Sequence, residues 1–187
     1  MLILLMMKNR EINTNILQER IDSKFYLERY LYMANLRRFT FKAILCMDAI
    51  IKEKISADHL LYVSLKYTKT CDVIINLLLR WKIMIEMAMD KLVENVKKKK
   101  KWKPVPDAPR AKLVQLKKIY ANDSVISETL SLYELFRDIE GLEKVRENEF
   151  RKGVNLKVFY KGETININLD KLKEYASLLE RFISSFK

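Results

Sequence analysis

The sequence predicts a mainly α protein, a bundle of long helices with one small β-hairpin near the C-terminus. Three observations carry this. Apolar residues recur at three- and four-residue spacing over long stretches. Only three glycines and three prolines occur in 187 residues, too few for the turns that a sandwich or barrel needs. Alternation with a period of two is confined to the stretch from Val154 to Leu169. With 49% apolar and 32% charged residues, the chain can bury a core and is not compositionally disordered.

The elements follow in order. Met1 to Met7 is apolar, but lacks the preceding charge and the small residues of a signal peptide; a start at Met6 or Met7 explains that end equally well. Residues 8–23 are polar and mixed, a short helix or an arm. From Lys24 to Ile55 the pattern is helical, with Leu36, Phe39, Ala43, Met47 and Ile50 in step. Ser56-Ala57-Asp58 supplies capping types, so one helix is expected to end there and a second to run from Asp58 to Val96. Unbroken, that second helix would span roughly 58 Å, so it bends, projects, or pairs with another subunit. All three prolines fall within residues 104–109, making residues 97–109 a stiff basic linker between regions 1–96 and 110–187.

Beyond the linker, Arg110 to Ala121 reads as a helix, and Asn122-Asp123-Ser124 punctuates it. A helix from Val125 to Lys152 follows, with Leu132, Leu135, Ile139, Leu142, Val145 and Phe150 as its inner face. Two alternating strands flank Lys161-Gly162, where Gly162 suits the positive φ of a tight turn. Asn168 or Asp170 can cap a closing helix striped by Leu172, Tyr175, Leu179, Ile183 and Phe186.

Composition also excludes function classes. Gly141, Gly153 and Gly162 form no phosphate-cradling loop. Two cysteines and the single His59 are too few for a zinc site made by this chain, so no metal and no cofactor is expected. Cys46 and Cys71 lie in apolar helical stretches and read as free buried thiols in a reducing cytosol, hence a cytoplasmic location. No run approaches the roughly twenty apolar residues of a membrane span. No catalytic residues are identified.

The net charge of +12 is concentrated: residues 97–121 carry ten basic groups and one acidic. Such a block suits a polyanion that releases counterions on binding. The expected nucleic-acid contacts are Lys97, Lys98, Lys99, Lys100, Lys101, Lys103, Arg110, Lys112, Lys117 and Lys118 on phosphates, with Trp102 as a stacking platform. The alternative is a solvated helix end with Trp102 packed on the core. A secondary patch comprises Arg37, Arg38, Arg146, Arg151 and Lys152, the first two beside Tyr26, Tyr30 and Tyr32.

Residues 146–152 read Arg-Glu-Asn-Glu-Phe-Arg-Lys, and on this layout residues 110–187 resemble the HEPN superfamily of small helical bundles. Many members are ribonucleases or toxin–antitoxin components, with an arginine, a polar residue and a following histidine on a late helix. Arg146 and Asn148 match the first two positions. No histidine follows them, so the resemblance implies a non-catalytic member that binds RNA or pairs with a partner subunit. The plain alternative is a solvent-facing helix with ion pairs at i, i+3 and i, i+4 spacing (Glu143–Arg146, Glu147–Arg151).

The functional expectation is a non-enzymatic nucleic-acid-binding protein, RNA ahead of DNA. The alternative is a helical assembly subunit, a homo-oligomer or part of a ribonucleoprotein or toxin–antitoxin complex. It would pair through residues 58–96, which carry Trp81, Met84, Met87 and Met89.

Overall fold

The structure, a computed structural model, describes residues 47–100 and 102–186. Expectations for Met1–Met7, the Lys24–Ile55 helix before Met47, Arg37, Arg38, Cys46 and Lys101 lie outside these residues. Helix α1 covers the described residues 47–68 and turns Ile50, Ala57, Leu61 and Leu65 into the core. It does not end at Ser56-Ala57-Asp58. The capping side chains there serve the helix itself: Ser56 Oγ donates to the Lys52 carbonyl at 3.0 Å, and Lys54 Nζ donates to Asp58 at 2.7 Å. A π-turn at Leu60–Ser64 widens α1 one turn before its end. Lys69, with φ 50°, takes the left-handed position that usually stops a helix with glycine.

Thr70 is extended, and α2 then runs Cys71–Lys98. The expected helix from Asp58 to Val96 is therefore two helices broken at Lys69-Thr70. Twelve residues of α2, from Cys71 through Trp81 and Met89 to Val96, are buried. Helix α3 (Pro109–Ile119) starts on a proline, whose missing amide costs a first turn nothing, and buries Leu113 and Leu116. Helix α4 (Ser124–Asp138) is capped by Asp123, whose side chain accepts from the Ile126 amide at 3.0 Å.

Helix α4 stops at Asp138 instead of continuing to Lys152. Lys144 Nζ donates to the carbonyls of Ile139, Glu140 and Leu142 at 2.8–3.2 Å, satisfying the acceptors that a longer helix would have used. Lys144–Glu147 then forms strand β1, so the expected hairpin is one half of a three-stranded antiparallel sheet. Strand β2 (Asn155–Tyr160) is central, and β3 (Glu163–Ile167) closes the sheet. The register sets Leu156 opposite Ile167 and Val158 opposite Ile165, with Leu156, Val158 and Ile167 buried. Between β2 and β3, Lys161 and Gly162 both have positive φ, the pair of a primed hairpin turn. Val145 and Phe150, expected on an inner helix face, are exposed.

Helix α5 (Leu169–Ser184) is capped by Asn168, which accepts from the Lys171 amide at 2.9 Å. Its expected stripe is correct, with Phe182 buried beside it and Phe186 packed against the core. The core is centred on aromatic rings. Trp81 of α2 stacks on Phe136 of α4 at 5.9 Å, and Phe136 meets Tyr175 of α5 edge-on at 5.6 Å. The described residues form one compact unit, so residues 97–109 are a corner within it, with core residues on both sides. Among them, no helix is long and apolar enough to cross a membrane.

Candidate nucleic-acid interface

The basic segment forms where α2 ends. Lys97 and Lys98 lie in its last turn, where cations complement the helix dipole. Lys99 is the C-cap, and Lys100 turns left-handed at φ 55°, its amide donating to the Lys97 carbonyl at 3.0 Å. All four side chains are exposed. Trp102 is half-buried and packs against the core, anchoring the chain there and leaving only part of its surface open to a base. Lys103 is exposed again, and Pro104 to Pro109 carry the chain into α3.

The ten expected phosphate contacts are not electrostatically equal. Lys112 sits between Asp107 at 2.5 Å and Asp90 at 2.6 Å, and those two carboxylates hold its ammonium above the ordinary lysine value. Lys117 pairs with Glu134 at 2.9 Å, and Glu134 also meets Lys161 at 3.2 Å. Burial alone would raise the Glu134 carboxyl, but the two lysines outweigh it and lower it. These two charges are largely neutralised inside the bundle. Lys97, Lys99, Lys100, Lys103, Arg110 and Lys118 are exposed and make no ion pair among the described residues.

One feature of this surface was invisible in the sequence. A groove of about 480 Å³ opens between the proline segment and α3. Its walls are Pro104, Val105, Val114 and Ile119, and Lys103 and Lys118 line it as well. Gln115 also lines the groove, and its buried Oε1 has no hydrogen-bond partner. Such an acceptor is costly to leave unmet. The volume falls in the range of small-molecule sites, roughly 300–1,000 Å³. An apolar slot with one amide and two flanking ammonium groups has the chemistry to hold an unpaired base between phosphates.

The secondary patch divides. Arg146 lies on β1 and Asn148 in the turn after it, not on a helix; the bundle's late helix ends before both. Arg146 is bound by Asp72 at 2.7 and 3.2 Å, with Glu149 at 3.7 Å. Glu147 pairs across the sheet with Lys157 at 2.6 Å, in place of an i, i+4 ladder. Arg151 and Lys152 are exposed at the opposite end of α2 from Lys97, separated by its 28 residues, roughly 42 Å. The apolar residues of α2 that suggested a pairing helix, Trp81, Met84 and Met89, are inside the core, with Met87 packed on it.

Among the described residues, no group of three or more His, Cys, Asp or Glu side chains is placed to hold a metal ion. Comparison with protein-family models, with curated proteins and with solved structures finds no match to this chain.

Proposed function

We propose that this chain is a binding protein for single-stranded nucleic acid, RNA in preference to DNA, held at the corner between α2 and α3. Phosphates would be met by Lys97, Lys99, Lys100, Lys103, Arg110 and Lys118. One base would enter the groove over Gln115, its amino group donating to the unmet Oε1. The observation that carries the reading is this set of exposed cations, none of them in an ion pair among the described residues, beside an apolar slot with an unsatisfied acceptor. A duplex keeps its bases stacked inside and could use only the cations.

The test is fluorescence anisotropy with a short cytidine-rich RNA, whose bases carry the donating amino group, the same DNA sequence and a duplex, titrated between about 50 and 200 mM salt. With about five phosphates neutralised, log affinity should fall against log salt with a slope of roughly −3.5 on the single strand. Replacing Lys97, Lys99, Lys100 and Lys103 together with Gln should weaken binding and flatten that slope. Unchanged affinity and slope in this variant would overturn the proposal.

A further inference from the structure

At the other end of α2, two loops lock together. The Phe150 amide donates to the Lys69 carbonyl at 2.8 Å, and the Cys71 amide donates to Glu149 Oε1 at 2.9 Å. The β1–β2 loop is thereby pinned to the α1–α2 junction, with Asn148 at φ 55° and Phe150 at φ 62° in the left-handed region. A bulky residue there costs of order 1 kcal/mol and persists because its surroundings hold it. Between the pinned loop, the π-turn of α1 and the start of α5 lies a groove of about 390 Å³.

Its floor is buried and apolar, formed by Leu61 and Leu65 of α1 and Val154, and the exposed side chains of Leu169 and Tyr62 flank it. Its rim is cationic: Lys66, Lys69, Arg151, Lys152 and Lys173. No Asp or Glu is among the described residues that line it. Lys173 has Asp170 at 3.9 Å, and Lys66 lies over the Tyr67 ring at 5.8 Å. Lys69, Arg151 and Lys152 make no ion pair among the described residues. These five charges come from three distant stretches of sequence, and only the fold brings them together.

We propose that this groove binds an anionic amphiphile, a single alkyl chain along the floor with a carboxylate or phosphate head at the Lys/Arg rim. Charge complementarity selects the head group. The floor selects the body: the buried Leu61, Leu65 and Val154 side chains offer the polar edges of a nucleobase no partners, and leaving such edges unmet is unfavourable, whereas a methylene chain requires none. The volume suits one chain rather than two. The site is independent of the nucleic-acid reading.

The experiment is calorimetric titration of the full chain with dodecyl phosphate and dodecanoate, both below their micelle-forming concentrations. Dodecanol, inorganic phosphate and shorter alkyl phosphates serve as controls. Both dodecyl anions should bind, dodecanol and inorganic phosphate should not, and each methylene removed should weaken binding roughly two- to fourfold. Arg151→Glu with Lys152→Glu, at exposed positions, should weaken binding roughly tenfold or more at unchanged Tm. Leu169→Trp, which narrows the groove from a partly exposed position, should also weaken it. The Lys97, Lys99, Lys100 and Lys103 variant should bind dodecyl phosphate as the parent does, and the Arg151, Lys152 variant should bind RNA as the parent does. Equal binding of inorganic phosphate would overturn the proposal, as would the absence of any dependence on chain length. Attachment to phosphatidylglycerol vesicles without binding of the monomeric amphiphiles would reassign the surface to a bilayer and overturn it too.

Discussion

The Glu149 carboxylate accepts the Cys71 backbone amide at 2.9 Å, joining residues 78 positions apart. Thr70 precedes helix α2 and supplies no side-chain cap, so the cap comes from the β1–β2 loop instead. A carboxylate at a helix N-terminus is favoured both by the hydrogen bond and by the dipole. Glu149→Ala should cost about 1 kcal/mol in urea unfolding, in line with the loss of an N-cap. Burial raises the Cys71 thiol above its ordinary value, and Glu149 adds to this, so the native thiol resists alkylation. In the alanine variant, mass spectrometry should find Cys71 alkylated faster under native conditions. Equal stability and equal labelling would show that the bond is incidental.

Phe136 touches two other rings of the core, Trp81 and Tyr175, and is fully buried. Phe136→Ala should therefore destabilise by about 3–5 kcal/mol, because α2, α4 and α5 would all border the same cavity. Phe136→Leu, which keeps more of the volume, should cost clearly less. If the two substitutions have equal urea midpoints, the retained volume contributes nothing and the loss lies in the ring contacts that both variants lack.

Helix α5 and the β2–β3 hairpin were legible because each carries its own signal. Leu172, Tyr175, Leu179 and Ile183 repeat at the helical step, while Leu156 and Val158 alternate with polar neighbours before Lys161-Gly162. Strand β1 was not legible. Glu143 to Lys152 is rich in Glu, Lys and Arg, which favour helices locally, and only pairing with β2 and the gathering of carbonyls by Lys144 override that preference. The α1–α2 break was hidden for a related reason. A lysine holds the left-handed position where a glycine would have announced it. At the candidate site the cations could be read, but their pairing could not, because Asp90 and Glu134 are neighbours of Lys112 and Lys117 only in space.

That pairing separates lysines that look alike in sequence. Lys112→Gln and Lys117→Gln should leave RNA affinity within about twofold, since each cation already faces a carboxylate at short range. Lys99→Gln with Lys100→Gln should reduce the salt slope by roughly 1.4, about 0.7 for each phosphate no longer neutralised. Anisotropy over the same salt range measures both. Equal weakening by the two pairs of substitutions would mean that the bundle's own carboxylates do not discriminate among these lysines.

Tyr175 gives the fold a pH limit on the alkaline side. Burial pushes its hydroxyl up to about 12, and the nearby Glu174 adds to the shift. In the unfolded chain the same hydroxyl titrates at about 10. Between these values the unfolded state releases a proton that the folded state retains. Stability is therefore complete below about pH 10 and falls as the pH rises toward about 12. Lysine pairs also weaken in this range, so the contribution of Tyr175 must be read as a difference. Urea midpoints at about pH 8 and about pH 11 should fall less in Tyr175→Phe than in the parent, because the variant has no proton to lose. A parallel fall in both proteins would place the alkaline limit elsewhere, with Tyr133 next in line, since burial and its hydrogen bond to Glu86 at 2.8 Å raise that hydroxyl as well.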